Sequence, residues 1–183
     1  ADGDDAFVAG ADAQDPAVYR AHGGAPAERW LPVRCEAVAV DASAFFCGAD
    51  RTVSSFARPT GARTVLFELP PQTGNAPEDE NIEAIAADAA DVYFSYDRTS
   101  TRAANGLVAR VSRKGGAAHV IAEGLPRLGS HIEVTADSVV TTASGNLGAS
   151  EGNVVSAEGH KNETLSVLNT APETADSVVV IAK

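Results

Sequence analysis

The chain of 183 residues and 18.7 kDa is long enough for one ordinary domain or one compact repeat array. Its 14 Lys+Arg against 25 Asp+Glu leave a net charge of −11, which argues against a phosphate-binding surface and hence against nucleic acid as a partner. The 44% apolar content suffices for a core, while the longest unbroken apolar runs, such as 178–182, fall far short of the roughly 20 residues of a membrane span.

The chain opens on Ala1 and contains no Met, as it would after removal of an export signal; a proteolytic fragment would share both features. Cys35 and Cys47 stand twelve residues apart around the turn-forming centre Asp41-Ala-Ser43, with a short apolar run on each side. A hairpin closing there brings the two cysteines to nearly matched depth on adjacent strands, where a disulfide fits. No CxxC spacing or partner ligand suggests a metal or redox pair, so Cys35–Cys47 is predicted as a structural disulfide in an extracytoplasmic protein.

One pattern then recurs: an alternating apolar stretch, an Asp-centred turn and a second apolar run. It reads Glu36-Ala-Val-Ala-Val-Asp41-Ala-Ser-Ala-Phe-Phe46 and Glu83-Ala-Ile-Ala-Ala-Asp88-Ala-Ala-Asp-Val-Tyr-Phe94. Further copies are Ile132-Glu-Val-Thr-Ala-Asp137-Ser-Val-Val-Thr141 and Glu173-Thr-Ala-Asp-Ser-Val-Val-Val-Ile181. The segment Asp2–Val8 resembles the second half of the unit, and alignment on Ala6, Phe45, Val92, Val139 and Val178 gives steps of 39, 47, 47 and 39 residues. Each unit continues with two more short strands around a polar or glycine turn, as in Thr52–Phe56 and Thr64–Phe67, or Gly106–Ser112 and His119–Ile121. Alanine propensity alone would allow a helix over 81–90, but its repeat mates are strand-like and Val92-Tyr-Phe94 follows without a C-cap, so a strand is predicted.

Four short strands per unit at a period near 40–50 residues are the signature of an all-β propeller of four-stranded antiparallel blades. The units resemble the β-propeller repeats of exported bacterial proteins, common in high-GC myxobacterial-type genomes and related in pattern to NHL and YWTD propellers. That resemblance carries blade type rather than an activity, and is best over 34–143. About four blades are expected, over approximately 1–35, 36–82, 83–130 and 131–172, with 173–183 closing the first blade or starting another. Such a set either closes as a small ring or forms part of a larger one, and the larger ring is favoured.

Candidate sites fall mainly in loops, where a rigid scaffold presents variable segments. The long insertions are 70–81, 97–105 and 144–152. In the first, Glu78-Asp-Glu80 could ligate Ca²⁺, but it lacks EF-hand-like spacing. Gly148-Ala-Ser150-Glu-Gly152 matches a nucleophile elbow in letters, yet a strand follows the serine where that chemistry needs a helix. His22, His119, His131 and His160 share no ligand spacing, and Asp41, Asp88, Asp137 and Asp176 are read as turn-stabilising acceptors. Tyr19 and Trp30 are expected to pack between blades. No catalytic residue, metal site or cofactor is assigned. Residues 98–127 hold six cations against one acid, so Arg98, Arg102, Arg110, Arg113 and Lys114 are the candidates for docking an acidic protein partner or another subunit. The expected function is a non-catalytic extracytoplasmic binding or scaffold module, with a hydrolase or lyase using a central-channel site as the alternative.

Overall fold

A computed structural model describes residues 5–10, 15–70, 80–98, 106–125, 128–136, 138–143, 165–167 and 177–182. Among these residues the protein is all-β. Fifteen strands follow in chain order: β1 Asp5–Ala9, β2 Val18–His22, β3 Glu28–Leu31, β4 Ala37–Val40, β5 Ala44–Ala49, β6 Thr52–Ala57, β7 Arg63–Glu68, β8 Glu80–Ala87, β9 Asp91–Arg98, β10 Gly106–Ser112, β11 His119–Leu125, β12 Leu128–Val134, β13 Ser138–Ala143, β14 Leu165–Val167 and β15 Ser177–Ala182. They form four antiparallel sheets, in the orders β1-β2-β3, β4-β5-β6-β7, β8-β9-β10-β11 and β12-β13-β15-β14, here sheets 1 to 4. Among the described residues no helix is long and apolar enough to cross a membrane.

Each core lies between consecutive sheets, and the strand sequences say why. In β5, Phe45 and Phe46 are both buried, and successive side chains of a strand point to opposite faces. Phe45 joins Val18, Leu31 and Phe56 between sheets 1 and 2, while Phe46 joins Val53, Ile82 and Phe94 between sheets 2 and 3. In β9, Phe94 faces back toward sheet 2 and Tyr93 faces forward to Val108, Ile132 and Val139, between sheets 3 and 4. A strand covered on both sides reads as an unbroken apolar run, which is what the central strands show. The first strands of sheets 2 to 4 also pack side by side, β8 against both β4 and β12.

Sheets 1, 2 and 3 share a further detail. The ladder between their last two strands slips at one equivalent place: between Val18 and Tyr19, Val53 and Ser54, and Val108 and Ala109. The extra residues opposite are Trp30, Leu66 and Ile121. Such a bulge re-aims a side chain; Leu66 and Ile121 are buried, and Trp30 lies 5.0 Å from Phe7 and 5.6 Å from Phe45 between ring centroids.

The strand expected over 81–90 is β8, so packing overrides alanine's helix preference. Sheets 3 and 4 begin slightly ahead of the expected unit starts at 83 and 131, β8 at Glu80 and β12 at Leu128. The C-terminal segment differs more: β15 neither completes sheet 1 nor opens a new sheet, but lies between β13 and β14. Its Val178-Val-Val-Ile181 run pairs with β13, burying an edge that would otherwise be open.

Close approach of sheets 2 and 3 depends on Gly48, where an added Cβ would lie 3.0 Å from Ile82 Cβ and closer still to its Cγ2. Replacing Gly48 by valine is expected to cost about 1–3 kcal/mol in urea denaturation. Combined with Ile82→Ala, the loss should fall short of the sum of the two single losses, because the same space is contested; strict additivity would refute the contact.

Candidate functional site

Two features gather polar side chains: a recurring set of ties between sheets, and a cavity on sheet 2. Both begin at the hairpin turns. Asp41 Oδ1 accepts the N–H groups of Ser43 (2.7 Å) and Ala44 (2.9 Å), and Asp88 Oδ1 accepts those of Ala90 and Asp91 (both 2.9 Å), the turn role expected of these residues. The third copy shifts by two residues. Thr135 donates its N–H to Ser138 O at 2.8 Å, as Asp41 does to Ala44 and Asp88 to Asp91, and Thr135 Oγ1 accepts the Ser138 N–H at 3.0 Å. Thr135 therefore holds the position that Asp41 and Asp88 hold in the other two turns. Asp137 and Asp176 lie outside the described residues.

An arginine directly follows β6 in sheet 2 and β10 in sheet 3 and uses these turns. Arg58 donates to Asp41 O (2.9 Å) in its own sheet and to Asp5 Oδ2 (2.6 Å) in sheet 1, with its guanidinium 5.5 Å from the Phe7 ring centre. Arg113 repeats this one sheet on. It donates to Asp88 O (3.0 Å) in its own sheet and to Ser43 Oγ (2.9 Å) and Asp41 Oδ2 (2.5 Å) in sheet 2, over the Phe46 ring at 4.9 Å. Charge-assisted hydrogen bonds and cation–π contact thus join each of these sheets to the one before it.

Asp5, whose side chain is 3% exposed, is bonded to Arg20 (2.7 Å), Arg58 (2.6 Å) and His22 Nδ1 (2.7 Å). The Arg20 guanidinium, then Arg58 and His22, hold its carboxyl far below the usual carboxylate range. At Asp41 partial burial pushes the carboxyl up, but bonds from Ser43, Ala44 and Arg113 outweigh it and leave it below its ordinary value. Both depressed carboxyls contribute stability that is complete above their unfolded value near 3.8 and declines as pH falls below it. Asp5→Asn should lower stability at neutral pH and flatten the acid limb of a thermal-unfolding profile measured against pH. An unchanged limb would count against the ties.

The cavity, of about 240 Å³, lies against the face of sheet 2 that looks toward sheet 1. Its wall combines Phe56 and the Cys35–Cys47 disulfide with Arg34, Asp50, Ser54 and Arg63. The disulfide is present, with a Cα–Cα distance of 5.3 Å, and it is diagonal rather than matched in depth: β4 starts two residues after Cys35, and Cys47 stands opposite Val38. Arg63 donates from Nε (3.2 Å) and Nη2 (3.1 Å) to the hydroxyl of buried Ser54. Arg34 pairs with Glu36 at 2.7 Å, and Glu36 also accepts the Asp50 N–H at 3.2 Å, steadying a turn residue whose φ is +47°. The guanidinium groups suit a small anion, with Phe56 and the disulfide as an apolar floor. The Ser54 hydroxyl is engaged by Arg63, and among the described residues no three His, Cys, Asp or Glu are grouped to hold a metal ion.

The expected docking residues are dispersed by these contacts. Arg113 is tied between sheets, Arg110 lies 3.7 Å from Asp91, and Lys114 is exposed at the β10–β11 turn. Arg102 and the side chain of Arg98 lie outside the described residues. So do the acids at 78 and 79, Gly148–Gly152, His160 and most of the three long insertions. His22 is exposed and bonded to Asp5, His131 is exposed, Trp30 packs between sheets 1 and 2, and Tyr19 lies beside Gly10. The sequence reading missed Asp5, Arg58, Arg34 and Arg63. For the ties a signal existed: Arg58-Pro-Thr-Gly61 and Arg113-Lys-Gly-Gly116 share an Arg-x-x-Gly spacing. Neither the protein-family models nor the curated proteins contain a match to this chain.

Proposed function

We propose that the four sheets are blades of a propeller of the exported bacterial repeat type, serving as a non-catalytic extracytoplasmic binding or scaffold module. The observation that carries this reading is the use made of the ionised groups. Asp5, Asp41, Arg58 and Arg113, which in an enzyme cleft would be available to substrate, are engaged in joining one sheet to the next. Recurrence of the tie, and of the bulges at Trp30, Leu66 and Ile121, favours a stacked repeat over a single specialised cleft. The Cys35–Cys47 bond is compatible with an oxidising compartment.

The test is native mass spectrometry of the protein isolated gently from its source, alongside turnover assays on ester, glycan and lactone panels. A stoichiometric companion polypeptide and no turnover are expected. A bare monomer that hydrolyses or eliminates any of these substrates would overturn the reading.

A further inference from the structure

We propose that the cavity on sheet 2 binds a small organic carboxylate, its charged end at Ser54 and Arg63 and its apolar body on Phe56 and the Cys35–Cys47 disulfide. This rests on the binding-module reading and names a ligand class for it.

The first observation comes from setting the sheets against one another. Counted from the Asp41 and Asp88 turns and across the ladders, Cys47, Ala49, Thr52 and Ser54 of sheet 2 are equivalent to Phe94, Tyr96, Leu107 and Ala109 of sheet 3. Arg63, which opens β7, is equivalent to Ala118, just ahead of β11. In sheet 3 these positions are core: Phe94, Tyr96, Leu107 and Ala109 are buried against sheet 2, and Ala118 packs on them. Sheet 2 turns to sheet 1 a disulfide and a methyl group where sheet 3 has two rings, and two hydroxyls and a guanidinium where sheet 3 has aliphatic side chains. The cavity of about 240 Å³ is thus a core position hollowed and made polar by the residues of sheet 2 itself.

The second observation is the bonding of Ser54, which is 2% exposed. Its Oγ accepts from Arg63 Nε at 3.2 Å and Nη2 at 3.1 Å. Those bonds use the oxygen's lone pairs, so the hydroxyl hydrogen needs an acceptor of its own, and among the described residues none bonds to it. Leaving a buried donor unmet is costly, and a carboxylate oxygen beside Arg63 would meet it.

Charge places the ligand at this end of the cavity. Arg34 lines the other end but is paired with Glu36 at 2.7 Å, and Asp50 adds a second acid to that rim. Arg63 is paired with no acid among the described residues. Cys47 stands opposite Ser54 in the β5–β6 ladder, and Phe56 lies two residues on along the same face, so sulfur and ring flank the hydroxyl. The volume is below that of pockets for drug-sized molecules, which limits the apolar body to a single ring or a short branched chain.

The probe is phenylacetate, titrated into the full chain by calorimetry, with amide NMR shifts as a second readout. Phenylacetamide supplies the same body without charge, and inorganic phosphate supplies charge without the body. Saturable binding of phenylacetate at least about tenfold tighter than of either control is expected, with the largest shifts around Ser54 and Phe56. Arg63→Gln, at an exposed side chain, should weaken binding by at least about tenfold. Ala49→Tyr, which copies Tyr96 of sheet 3, should fill the cavity and abolish binding; if that variant misfolds, Arg63→Gln carries the test alone. Absence of saturable phenylacetate binding overturns the site, as does equal binding of phenylacetamide or phosphate, or an Arg63→Gln affinity equal to the parent's. If phenylacetate fails while a companion polypeptide stays bound, only the site falls. If phenylacetate binds a bare monomer that turns over the ester, glycan or lactone panel, the site stands and the binding-module reading falls.

Discussion

Phe45→Ala is expected to lose about 3–5 kcal/mol of stability, a large part of what a domain of this size possesses. Phe45 is 0% exposed and sits within 5.5 Å of Phe7, 5.6 Å of Trp30 and 6.3 Å of Phe56 between ring centroids. Its removal leaves a cavity that these rings, held by strands of two sheets, cannot all move to fill. Urea denaturation followed by the emission of Trp30, the single tryptophan, reads the loss directly. Val65→Ala, at a side chain 49% exposed, should stay within about 0.5 kcal/mol of the parent. Equal losses at the two positions would mean that the contact between sheets 1 and 2 is not a core.

Removing the disulfide should be nearly as costly. Cys35 and Cys47 close a loop with a sequence separation of 12, and restoring that freedom to the unfolded chain corresponds to about 2–4 kcal/mol. Alanine is the informative replacement, because both positions are buried, at 8% and 4% exposure, and serine would bury hydroxyl groups there. The Cys35→Ala, Cys47→Ala variant should show a lower denaturation midpoint that no longer responds to a thiol reductant, while the parent responds. A parent insensitive to full reduction would show that the bond does not contribute to stability.

The fold was legible where a residue's own surroundings in sequence decide its place. Phe45-Phe46 announces a strand covered on both faces, and Asp41 and Asp88 announce turns because a short acid can accept the N–H groups two and three residues on. Thr135 was not singled out because a threonine hydroxyl carries no sequence signal like that of Asp41 or Asp88, and only its backbone bond to Ser138 identifies the turn position. Segment 177–182 matches 138–143 at four of six residues, so it reads as the opening of another unit. Its pairing instead answers to the open edge of β13, which no local pattern encodes. The candidate sites were less legible. Arg113 looked like one of several surface cations, yet its partners Asp41 and Ser43 lie some 70 residues away in sequence, as the separation of Arg113 from Ser43 shows. The cavity beside Arg63 likewise draws its wall from separate strands and from the segment ahead of β4.

The arginine ties all point one way. Arg58 and Arg113 reach a carboxylate that was synthesised earlier than they were, in the sheet that precedes their own. Sheets 2 and 3 thus each find an acceptor in sequence already translated. Growth from the N-terminal side is therefore open to the chain: once residues 5–70 have cleared the ribosome, sheets 1 and 2 and the Arg58–Asp5 bond can form before sheet 3 is complete.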